Sequence, residues 1–72
     1  MEKSIELMKH SNGQHSLVLW LREREGDGGL EVINIVVCSY YDPTKEFGSQ
    51  WCWGHYFGKD GLQEAINYLN EQ

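Results

Sequence analysis

Leu30-Glu31-Val32-Ile33-Asn34-Ile35-Val36-Val37-Cys38-Ser39-Tyr40-Tyr41 is the stretch that decides the fold. Read as a strand, it sets Leu30, Val32, Val36, Cys38 and Tyr40 on one side and Ile33, Ile35, Val37 and Tyr41 on the other. A strand with one wet face alternates apolar and polar residues. This one is apolar on both sides, so both faces call for cover. The chain offers one convincing helix, at its C-terminal end, so a second copy or a partner is expected to complete the burial.

Upstream, residues 3–10 alternate as a strand and Asn12-Gly13 follows. Asn-Gly is a hairpin signal, because a type I′ turn needs positive φ at both central residues. Residues 15–22 then read as the returning strand. A two-residue turn sets His10 opposite His15, Leu7 opposite Val18 and Ile5 opposite Trp20. Arg22 to Gly29 is a charged, glycine-rich connection into the central strand, 30–41. Asp42-Pro43 ends that strand, since proline lacks an amide donor and restrains its predecessor. Residues 49–57 form the fourth strand, with Trp51, Trp53, His55 and Phe57 on one face and Cys52 and Tyr56 on the other. Gly54 inside it marks a bulge or a close approach. A helix over 60–71 follows. Asp60 is its expected cap with Gln63 three residues on, and Leu62, Ala65, Ile66 and Leu69 make one apolar stripe.

The expected fold is α+β: one domain over 1–72, a four-stranded antiparallel meander with the helix across one face. Four strands about 4.8 Å apart make a sheet some 15–20 Å wide. A helix with its side chains is about 10 Å across and covers roughly half of one face. The uncovered apolar surface favours a homodimer, since monomers seldom leave large contiguous patches bare.

Composition narrows the function. Seventy-two residues with a 40% hydrophobic fraction are enough for one small folded domain rather than a disordered chain. Six basic residues against eleven acidic ones argue against nucleic-acid binding, which needs clustered Lys and Arg. No apolar run approaches the roughly 20 residues of a membrane span. The first ten residues are charged and lead into no apolar stretch of a signal peptide, and two cysteines make no disulfide framework. The expectation is a cytoplasmic protein with reduced thiols.

Each chemically suggestive group has a plain structural counterpart. His10, His15, His55, Cys38 and Cys52 are metal-ligating types, but none stands at ligand spacing, so no metal and no cofactor is expected. Cys52 and His55 fall on opposite faces of a strand and cannot form a thiol–imidazole pair. Gly26-Asp27-Gly28-Gly29 leads into a strand, not a helix, and lacks the lysine of a phosphate loop. The strand–strand–strand–helix order is similar to that of the double-stranded-RNA-binding domain. That family's lysines at the start of the last helix are replaced here by Lys59-Asp60-Gly61-Leu62-Gln63-Glu64, which cannot clamp phosphates.

The reading that fits is a non-enzymatic protein-binding module, a small acidic inhibitor or regulator that occludes a partner's site. By size and charge it is comparable to phage or mobile-element counter-defence proteins of the anti-CRISPR kind. Trp51, Trp53, His55 and Tyr56 are the expected contact residues, because Trp and Tyr concentrate in interface hot spots. Glu23, Glu25 and Asp27 are expected to steer the partner. The alternative is a ligand-binding or enzymatic homodimer, with Trp51, Trp53, His55 and Tyr56 lining a pocket at the subunit seam.

Overall fold

A computed structural model describes all residues, Met1–Gln72. Strands β1 (Glu2–Lys9), β2 (His15–Glu23), β3 (Leu30–Ser39) and β4 (Trp53–Phe57) form one antiparallel sheet in the order β1-β2-β3-β4. Helix α1 (Leu62–Asn70) packs on β2, β3 and β4. This is the α+β meander that the sequence predicts. Two strands are shorter than expected: β3 stops at Ser39, and β4 starts only at Trp53.

The two hairpins follow from local chemistry. At the first, the His10 amide donates to the His15 carbonyl at 2.8 Å, so these two face each other as expected. The turn is not type I′, however, because Gly13 alone has positive φ, at 76°. Gly13 donates to the His10 carbonyl, and the Asn12 side-chain oxygen accepts from the amides of Gln14 and His15. At the second hairpin, Arg24 donates to the Gly29 carbonyl and Asp27 accepts from the Gly29 amide, with Gly26 and Gly28 at positive φ.

Two bulges change which side chains share a face. Trp20 pairs with Asn34 but Leu21 pairs with Val32, which leaves Ile33 as the extra residue. A bulge moves every residue beyond it to the other face. Val32 therefore joins Ile35 and Val37 rather than Val36 and Cys38. The same happens in β1: Glu6 pairs with Val18 and Met8 with Leu17, with Leu7 the extra residue. Ile5 consequently lies opposite Leu19, not Trp20, and Glu6 rather than Leu7 lies opposite Val18.

Each face carries its own buried cluster. Beneath α1 lie Leu17, Ile35 and Val37, packed against Ala65 and Leu69. Each large aliphatic buried there contributes about 1.5–3 kcal/mol. Val18, Val36 and Cys38 form the second cluster, covered by Trp20, Tyr41 and Trp51. The cover of this second face is thus intramolecular, which corrects the expectation that another chain supplies it. Tyr40, at φ 54°, turns the chain out of β3, and Tyr41 packs back over the Val36 side rather than beside Ile35 and Val37. A 3-10 turn, Phe47–Ser49, continues the cover. Gln50, itself buried, fastens it: its Nε2 donates to the Lys45 carbonyl at 3.1 Å, and its Oε1 accepts from the Ser4 hydroxyl. The same hydroxyl pairs with the Tyr41 hydroxyl at 2.7 Å.

The N-cap of α1 is Gly61, without a side-chain cap; Asp60 does not cap it, and Gln63 bonds Asn67 instead. The helix does not reach β1. On the helix side of the sheet, β1 is therefore left open.

Candidate functional site

The sequence-derived site residues fall in three places. Trp53 and His55 lie on the helix side of β4. Trp51 and Tyr56 lie on the opposite face. Glu23, Glu25 and Asp27 sit at the far end, around the β2–β3 hairpin. The expected single row of Trp51, Trp53, His55 and Phe57 is broken because Trp51 precedes β4 and belongs to the loop that folds over the other face. One pocket lined by Trp51, Trp53, His55 and Tyr56 is therefore not formed, since the sheet separates them in pairs.

The helix-side group is a ladder of rings. His15 meets Trp53 edge-on at a centroid distance of 6.3 Å. Trp53 is near-parallel to Tyr68 of α1, and Tyr68 stacks on His55 at 4.4 Å. His55 in turn contacts Phe57 at 4.8 Å. The ladder is built by strand periodicity, which aligns 53, 55 and 57, and by the helix, which brings Tyr68 over them. Trp53 is 43% exposed and His55 is exposed, whereas Tyr68 and Phe57 are partly buried against the cluster of Leu17, Ile35, Val37, Ala65 and Leu69. Tyr68 is the member that sequence reasoning missed. Its place flanking the helix stripe was the available signal.

The opposite group is a packing device. Trp51 donates its indole N–H to the Tyr56 hydroxyl at 2.9 Å. Phe47, Trp20 and Tyr41 surround the pair. The Trp20 indole N–H is buried there without an acceptor.

At the hairpin end, Arg22 pairs with Glu31 at 3.2 Å and Arg24 with Asp27 at 3.3 Å. Those pairs leave Glu23 and Glu25 without an ion-pair partner. Met1, Arg22, Glu23, Arg24, Glu25 and Glu31 line an open groove of about 520 Å³. Its lining has a single apolar residue, unlike the apolar clefts that hold small ligands.

The remaining reactive groups are dispersed. Burial, with a smaller contribution from the Glu6 carboxylate, pushes the Cys38 thiol up to about 12. Cys52 is free and exposed. No group of three or more His, Cys, Asp or Glu side chains gathers to hold a metal. The Thr44 hydroxyl and amide bonded to Asp42 hold its carboxyl below the usual range, which serves the turn after β3. No helix is long and apolar enough to cross a membrane.

No family model, curated protein or solved structure matches this chain.

Proposed function

We propose that this protein is a non-catalytic binding module, dimeric in solution, that docks a protein partner on the Trp53–Tyr68–His55 ladder and blocks the partner's own site. One observation carries the reading: Trp53 and His55 stand exposed on the ladder, held in place by Tyr68 and Phe57, which pack against the buried core. Rings held in place by stacking lose little freedom on binding, and Trp and Tyr dominate interface hot spots. The net charge of -5 and the unpaired Glu23 and Glu25 favour a basic partner. The scale and charge suit a small inhibitor or regulator of the mobile-element kind.

The test compares wild type with Trp53→Ala and with Tyr68→Ala in affinity capture, after equal folding is established by melting. Loss of the same captured protein, by about tenfold or more, supports the reading; hot-spot truncations cost at least that much. Retained capture by both variants sinks it. A thermal shift with a metabolite or nucleotide panel would instead favour a ligand-binding role.

A further inference from the structure

We propose that β1 is the seam of a two-fold homodimer, in which the β1 edges of two copies pair antiparallel about Ile5 and join the sheets into one of eight strands. The inference rests on the dimeric reading above and assigns its interface.

β1 is an edge strand of eight residues. The Glu23 amide donates to the Met1 carbonyl, so the backbone of Met1 is turned toward β2. By alternation, Lys3 and Ile5 are turned the same way, and Glu2, Ser4 and Glu6 present their amides and carbonyls outward. Such a row is a template for another strand. α1 leaves β1 uncovered, and Ile5, Leu7 and Met8 are 45%, 47% and 40% exposed. With only 12 of 72 residues buried, the chain gains core by covering them.

Charge selects the register. Centring the seam on Lys3 or Glu6 sets that residue against its own copy, and centring it on Ser4 sets Glu2 against Glu6 of the second copy. Like charges directly opposite are destabilising. Centring on Ile5 pairs Ile5 with Ile5 and lets Ser4 and Glu6 exchange backbone hydrogen bonds. Beyond the Leu7 bulge, the shared faces bring Lys3 opposite Met8 and Glu2 opposite Lys9. Both ends of the seam then carry an opposite-charge pair.

A two-fold axis normal to the sheet puts both helices on one side. β4 and its copy become the outer strands, seven spacings or about 34 Å apart. The dimer thus presents two aromatic ladders facing the same way, an arrangement for bivalent docking.

Two measurements test the seam. The first is light scattering over a concentration series for wild type, Glu2→Lys, Lys9→Glu and the double reversal. Each single reversal is expected to weaken the dimer by about tenfold, and the double to restore it. The second uses Ile5→Cys with Cys52→Ser. A non-hydrogen-bonded antiparallel pair sets Cα atoms about 4.5 Å apart, within disulfide reach. Mild oxidation should give a covalent dimer rapidly, and Glu2→Cys with Cys52→Ser should not. A monomeric wild type overturns the dimer and the seam together. A wild-type dimer indifferent to the reversals, with no Ile5→Cys crosslink, overturns the seam alone.

Discussion

The Trp51 indole donates to the Tyr56 hydroxyl at 2.9 Å directly over Gly54, and the absence of a side chain at 54 makes that bond possible. A Cβ at 54 would meet Trp51 Nε1, Tyr56 Cε1 and Val36 Cγ1, each at 3.1 Å. Three neighbours, one of them in the buried cluster, would have to move together. Gly54→Ala is therefore expected to cost about 1–3 kcal/mol by overpacking. Denaturant unfolding checks this, and Trp51→Phe in the same chain should recover part of the loss by removing one of the three contacts.

Leu69 and Trp53 should separate core from surface. Leu69, on the buried face of α1, is 1% exposed, and Leu69→Ala is expected to lose about 2–5 kcal/mol. Trp53→Ala should lose about 1 kcal/mol, the worth of its ring contacts. A loss below half of one kcal/mol at Leu69, estimated on the same scale, would show that the helix is not docked as described. Equal losses at both positions would assign Trp53 to the core.

Cys38 makes stability sensitive to alkali. In the unfolded chain its thiol ionises near its ordinary 9.0, whereas in the fold it holds its proton to about 12. Between those values the unfolded state binds fewer protons, so stability is full below pH 9 and falls as pH rises toward 12. The melting temperature of wild type should fall more steeply from pH 8 to 11 than that of Cys38→Ala. In the native protein a thiol reagent should label Cys52 alone, because Cys38 is buried and protonated.

Gln50 is the fastening of the loop that covers the second face. Gln50→Ala removes its bonds to the carbonyls of Lys45 and Pro43 and to the Ser4 hydroxyl. The expected loss is about 1–3 kcal/mol. Hydrogen exchange should show faster opening of residues 40–52, and Cys38 beneath them should become reactive. Unchanged exchange there would mean that the aromatic packing holds the loop without Gln50.

Part of the candidate site was legible in the chain. Within β4, alternation placed Trp53, His55 and Phe57 together, and Gly54 did mark a close approach. Trp51 was misplaced because strand periodicity says nothing about where a strand starts. Tyr68 joined the ladder only through helix docking, which no local pattern encodes.

The order of elements, both hairpins and the amphipathic helix follow from the sequence by itself, because turns, breakers and periodicity act over a few residues. The faces were decided in three dimensions. Side chains alternate with a period of two, so one extra residue at Leu7 and another at Ile33 each reverse everything beyond them. Whether a bulge forms depends on what packs against both sides of the sheet. Here α1 claims Ile35 and Val37, and the loop carrying Tyr41 and Trp51 claims Val36 and Cys38. The two-faced strand thus found both covers within its own chain, and what stays open lies at the two sides of the sheet: Ile5, Leu7 and Met8 on β1, and Trp53 and His55 on β4.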